Sequence, residues 1–147
     1  MPHITDENMK YNYLIITILL FVSLHVLAKD KNFGNATVLE VTSIYDGDTF
    51  RANIEDFPAV IGESMSIRIN GVDTPELRGK CDKEKQLARL AKQFTVERLR
   101  AAKSIVLKNI KRGKYFRLIA DVYVDGVNLG EQGHAVTYIG KTKQTWC

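Results

Sequence analysis

Two short acidic clusters, Asp46-Gly47-Asp48-Thr49 and Asp73-Thr74-Pro75-Glu76, are separated by Arg68, and a second arginine closes the tract Lys114-Tyr115-Phe116-Arg117. These residue types suit the cleavage of a phosphodiester. If Asp48 and Asp73 come together, both ionised at neutral pH, they repel each other and any incoming phosphate. Two like charges about 4 Å apart cost on the order of 4 kcal/mol at an effective dielectric of 20. A divalent cation held by hard oxygen ligands removes that conflict. Two carboxylates and the Thr74 backbone carbonyl make a sparse all-oxygen set, which suits calcium, with its variable coordination, better than zinc. Arg68 and Arg117 match the equatorial oxygens of a five-coordinate phosphorus, where charge grows in the transition state. Glu76 is not needed as a ligand and is the candidate to accept a proton from the attacking water.

Each cluster alone has an ordinary explanation. Asp46-Gly47 is a common turn, Asp73-Thr74-Pro75-Glu76 is a common turn leading into a helix, and either arginine could be a surface residue. Only their joint occurrence points to phosphodiester chemistry. Lys114 and Tyr115 are candidates to contact a phosphate and to stack on a base, and Tyr138 is a weaker candidate of the same kind. His134 follows Gly133 and is better read as a packing residue than as a base. There is no CxxC pair and no Cys/His cluster, which argues against structural zinc.

The elements that must position these residues are legible. Residues 37–44 are rich in β-branched side chains and predict a strand ended by the Asp46-Gly47 turn, with residues 49–54 as its hairpin partner. In residues 65–70, Met65, Ile67 and Ile69 share one face, so Arg68 and Asn70 point the other way. Residues 82–102 predict the longest helix, with Leu87, Leu90, Ala91 and Phe94 as its apolar stripe, continued by Leu99 and Ala102, and its basic residues on a solvated face. Ile105-Val106-Leu107 begins another strand, and residues 118–124 make a further one, closed by Asp125-Gly126. Three strands, a helix and two more strands suggest a small antiparallel barrel with helices packed on it.

At 147 residues, with 45% hydrophobic and 26% charged content, the chain is long enough for one domain with a real core, and its composition argues against wholesale disorder. The formal charge of +4 favours polyanionic partners but is weak evidence alone. An apolar run begins at Leu14 and ends in Val26-Leu27-Ala28 before Lys29. Its length suits the core of a signal peptide spanning residues 1–28, with Met9 as an alternative start, rather than a comfortable membrane span. Export to the periplasm or the exterior is therefore expected, with an uncleaved anchor over residues 14–28 as the alternative. Export permits a disulfide between the two cysteines, Cys81 and Cys147, although sequence leaves two free thiols open.

The tracts Asp46-Gly47-Asp48-Thr49, Arg68-Ile69-Asn70-Gly71-Val72-Asp73-Thr74-Pro75-Glu76 and Lys114-Tyr115-Phe116-Arg117-Leu118-Ile119-Ala120-Asp121 together resemble the staphylococcal nuclease (thermonuclease) family. The resemblance runs from about Ala36 to Tyr138, and Leu77-Arg78-Gly79-Lys80-Cys81 and Trp146-Cys147 resemble its exported bacterial members. It implies an α+β, mainly β fold: a small five-stranded OB-fold barrel with packed helices, over residues 29–147. It further implies a calcium-dependent endonuclease, active as a monomer, that hydrolyses DNA and RNA, preferentially single-stranded, and leaves 3′-phosphate ends. On that resemblance Asp48, Asp73 and the Thr74 carbonyl bind calcium, Asp46 stands behind them, and Arg68, Glu76 and Arg117 are catalytic. The competing expectations are an inactive OB-fold nucleic-acid-binding module and a destabilised variant. The second arises because residues 127–132 are shorter than the helix the family carries there, which removes apolar cover from the barrel. A disulfide would offset part of that loss. Phe116 also departs from the family, standing where glycine is frequent.

Overall fold

Period-two alternation turns one face of each early strand inward. Val38 and Val41 on β1 (Ala36–Ile44), Phe50, Ala52 and Ile54 on β2 (Thr49–Ile54), and Met65, Ile67 and Ile69 on β3 (Met65–Ile69) are buried, with polar or exposed positions between them. The computed structural model describes residues 31–132, 136–137 and 145–147. The expected signal segment, His134 and Tyr138 lie outside the described residues. After β3 come β4 (Val72–Asp73), the long helix, β5 (Ile105–Arg112), β6 (Leu118–Val124), β7 (Val127–Asn128) and β8 (Val136–Thr137). A single helical turn, α1 (Ala59–Gly62), lies between β2 and β3, and the long helix α2 spans Asp82–Ala101.

The main sheet runs β3-β2-β1-β5-β6-β7, and β6 also pairs with β3, so five strands close on themselves. The sequence pattern suggested an antiparallel barrel, but the closing β3–β6 pair is parallel, with Ile67 opposite Leu118 and Ile69 opposite Ala120. A parallel pair needs a long crossover, and α2 with β5 supplies it. The result is the mainly β, OB-type barrel expected from the sequence. Phe50, Ile67, Leu107, Ile110 and Val122 are fully buried inside it.

Helix α2 has the expected extent. Of its expected stripe, Ala91 and Leu99 are buried and Phe94 and Ala102 pack against the core, but the rest of the inward face differs. Glu84, Ala88, Ala91, Thr95 and Leu99 face inward, whereas Leu90 is 48% exposed. The cause is close approach. A β-carbon on Gly47 would lie 2.8 Å from that of Ala91, so the helix meets the β1–β2 turn through its smallest residues. The Thr95 hydroxyl then donates to the Gly47 carbonyl at 2.7 Å. Arg100, assigned to a solvated face, also reaches β1, donating to the Val41 carbonyl at 2.9 Å.

The short segment after Gly126 forms β7 and one 3-10 turn, Leu129–Glu131, in place of an α-helix. Leu129 is buried against the barrel end. Gly130 lies so near Ile69 and Val72 that a β-carbon would come within 3.3 Å of them. Glycine here allows close packing, beyond any cost to helix formation. Cys81 and Cys147 are joined, with Cα atoms 6.0 Å apart and a sequence separation of 66. A loop of that length corresponds to about 4 kcal/mol in the chain-entropy model. Replacing both cysteines by serine should therefore lower the urea midpoint of unfolding by an amount equivalent to a few kcal/mol, up to about 4. An unchanged midpoint would show that the bridge does not compensate for the short segment.

Candidate functional site

Outward-facing positions on three neighbouring strands build the floor of a cleft. Thr49 is opposite Arg68, and Arg51 is opposite Ser66, across β2 and β3. Arg68 is opposite Ile119 across the parallel β3–β6 pair. With Tyr45, Asp46, Glu76, Lys114 and Arg117, these residues line an open cleft of about 620 Å³. The fold thus brings Asp46, Arg68, Glu76, Lys114 and Arg117 to one place from four separate segments. Tyr45 and Arg51 were not singled out from sequence, although alternation from Thr49 along β2 puts Arg51 on the same face.

Beside the cleft lies a buried charge network. Asp48, Asp73 and Thr74 are all buried. One terminal nitrogen of Arg68 donates to Asp48 Oδ1 at 2.9 Å and the other to Asp73 Oδ1 at 3.1 Å. Arg68 therefore holds the two acids together here, in addition to lining the cleft. The Thr49 hydroxyl donates to Asp48 Oδ1 at 2.8 Å, and Asp46 Oδ1 accepts from the Asp48 backbone N–H at 3.1 Å. Burial, followed by the neighbouring Asp48 charge, pushes the Asp46 carboxyl up from 3.8 to about 6. Asp46, Asp48 and Asp73 place three carboxylates close together, with the Arg68 guanidinium paired to Asp48 and Asp73 among the described residues. That concentration of buried negative oxygen is the environment a hard divalent cation requires.

Arg117 enters from the β5–β6 hairpin. The Gly113 N–H donates to the Arg117 carbonyl at 2.7 Å, and the turn between them carries Tyr115 and Phe116 at φ of 58° and 56°. Left-handed backbone at a residue with a β-carbon costs about 1–2 kcal/mol, which explains why glycine suits position 116. The Phe116 ring instead lies 3.8 Å from the Arg112 guanidinium. Arg117 is half-buried, and its Nε is buried without a hydrogen-bond partner among the described residues. A buried donor with no partner among the described residues, beside an open cleft, is suited to a phosphate oxygen. Tyr115 is 92% exposed on the tip of this hairpin, available to a base.

Glu76 is exposed on the loop that follows β4. That loop is held by Glu84, a residue the sequence reading passed over. The buried Glu84 carboxylate accepts from the backbone N–H of Lys80 at 2.9 Å and of Glu76 at 3.4 Å. A β-carbon at Gly79 would run into this carboxylate. The signal was present in the sequence: Cys81 is the N-cap of α2 and Glu84 stands three residues later, where a capping glutamate reaches back over the helix start. Replacing Glu84 by alanine should cost about 1–3 kcal/mol and speed hydrogen exchange at the Glu76 and Lys80 amides, with glutamine in its place doing less harm. Unchanged exchange at both amides would mean that Glu84 does not order the loop.

Comparison with known proteins follows the same lines. No curated protein matches the chain. The family model for staphylococcal nuclease homologues matches residues 66–145. That match begins in β3, so it covers Arg68, Asp73, Glu76 and Arg117, while Asp46 and Asp48 join them through the strand register. A match over more than half of the sequence, on a closed five-stranded barrel with these residues around one cleft, places the chain in the staphylococcal nuclease family.

Proposed function

We infer that the chain is a calcium-dependent endonuclease that hydrolyses phosphodiester bonds in DNA and RNA, prefers single strands and leaves 3′-phosphate ends. The observation that carries this is the convergence of Glu76, Arg68 and Arg117 on one cleft beside the buried pair Asp48 and Asp73. Asp48, Asp73 and the Thr74 carbonyl would hold the ion, since they are buried hard-oxygen donors whose charge Arg68 alone does not balance. Calcium, when bound there, supplies the missing positive charge and polarises a water.

The protein's own groups account for the remaining steps. Glu76 takes a proton from the water as it attacks phosphorus. Arg117 and Arg68 donate to the equatorial oxygens, where charge accumulates, and do so from a half-buried site in which such bonds are strong. The 5′-oxygen leaves with the bonding electron pair and gains a proton from solvent, while the phosphate stays on the 3′-oxygen. Lys114 and Tyr115 hold the flanking strand by charge and by stacking. The disulfide accords with export to the periplasm or the exterior, which residues 1–28 would direct, and the enzyme would act there as a monomer.

The purified full chain, given a single-stranded DNA oligonucleotide, should cleave it with calcium and stop on addition of a chelator. Glu76→Ala and Arg117→Ala should each lower kcat by orders of magnitude, comparable to the roughly 10³–10⁵ effect of arginines in other phosphoryl transfers. The products should resist extension by a polymerase until a phosphatase removes the 3′-phosphate. Near wild-type turnover by Arg117→Ala would overturn this mechanism.

A further inference from the structure

A second cleft, of about 470 Å³, adjoins the first and shares Glu76 with it. Its other walls include Arg78, Lys80, Glu84 and Trp146. Trp146 is half-buried and directly precedes Cys147, which the disulfide ties to Cys81 at the start of α2. The indole is thereby fastened to the loop that carries Glu76. Arg78 and Lys80 are exposed and make no ion pair among the described residues. The nearby Glu84 carboxylate is turned into the loop's own backbone N–H groups. Trp146 and Cys147 lie outside the residues matched by the family model.

A strand whose scissile phosphate faces Glu76 and the arginines must continue past Glu76. One continuation leads into a cleft offering an aromatic face and two free cations. That pairing is what binding of a single strand uses, with stacking on the ring and attraction along the backbone. We propose that the cleft of Arg78, Lys80 and Trp146 is a subsite for the nucleotide next to the scissile phosphate, with the base on Trp146 and the phosphate near Arg78 and Lys80. The proposal rests on the nuclease reading of the adjoining cleft and adds a specificity for strand length. A substrate long enough to reach Trp146 gains affinity that a single nucleotide cannot. The disulfide then has a second role, because it holds one wall of the subsite.

Trp146 is the only tryptophan in the chain, so its fluorescence reports on this cleft alone. The full chain is titrated with an octathymidylate single strand in the presence of chelator, which prevents turnover, and binding is followed in parallel by filter retention. Saturable quenching that tracks retention is expected. Trp146→Ala should weaken octamer binding about 5- to 100-fold, the range for loss of one base stack, while Trp146→Phe stays within a few-fold of wild type. Thymidine 3′-phosphate should bind all three proteins alike. Removing Arg78 and Lys80 together should flatten the dependence of log affinity on log salt by about 0.7, the slope for one single-strand phosphate no longer neutralised.

Unaltered fluorescence at saturating octamer, or an alanine variant that binds and cleaves the octamer like wild type, overturns the subsite. In either case calcium-dependent cleavage by the wild type would leave the nuclease reading intact. The reverse outcome is also distinct. Quenching and the alanine defect, in a chain that cleaves nothing with calcium, would keep the subsite as a binding site and remove the hydrolytic reading.

Discussion

The parallel pairing of β3 with β6 is the contact on which the remainder of the molecule depends. It closes the barrel, burying Ile67, Ile69, Leu118 and Ala120 on the inside. On the outside it sets Arg68 opposite Ile119, two residues from Arg117. Alternation along a strand links the two results, since a register that buries one set of side chains must expose the other. A slip of one residue would put Arg68 in the core and open the cleft floor. Core packing and site geometry are therefore set by the same hydrogen-bonded ladder.

Around that floor the chain concentrates charge that a folded protein ordinarily avoids. Asp46, Asp48 and Asp73 are buried close together, and Arg68 ties Asp48 to Asp73. Burial of carboxylates is tolerable only when each is paired or hydrogen-bonded, and the network reflects this. The Thr49 hydroxyl and the Asp48 backbone N–H are both directed at carboxylate oxygens. Asp46 bears the remaining conflict, which shows in its raised affinity for a proton. The turn that carries two of these acids is clamped from outside, with Ala91 against Gly47 and the Thr95 hydroxyl on its carbonyl. Helix α2 therefore acts as a rigid backing for the acidic site as well as a cover for the barrel.

The start of the same helix controls the Glu76 loop. Cys81 caps it, Glu84 in its first turn collects two backbone N–H groups from the loop, and the disulfide brings the Trp146-Cys147 tract against both. Pro75 is fully buried at the start of this loop, but Glu76, Arg78 and Lys80 beyond it are exposed. A buried carboxylate and a covalent bridge hold that exposed part. The short segment after Gly126 follows the same economy. One 3-10 turn, with Leu129 inserted and Gly130 allowing contact with Val72, covers the barrel there, in a segment already expected from the sequence to be shorter than the helix the resemblance implies.

Local pattern was sufficient for the five barrel strands and for the extent of α2, because periodicity and turn residues act within a few positions along the chain. It was not sufficient for the two-residue strands β4, β7 and β8, which are too short to show a pattern. The residue types, order and spacing of Asp48, Arg68, Asp73, Glu76 and Arg117 are likewise written in the chain, so they could be grouped before any contact was known. Pattern placed only part of the buried stripe of α2. Ala91 and Leu99 were read correctly, but hydrophobicity also favoured Leu87 and Leu90, whereas the buried face continues through Ala88 and through Thr95, which bonds the Gly47 carbonyl. Nor could it show that Arg68 bridges both acids, that Glu84 is buried under the Glu76 loop, or that Trp146 reaches that loop. Each of those facts joins residues far apart in sequence and depends on barrel closure and the disulfide, which are properties of the folded chain alone. The sequence by itself determined which groups are available for chemistry and which segments carry them. Tertiary structure decided which of them meet, because only the closed ladder converts distance along the chain into contact.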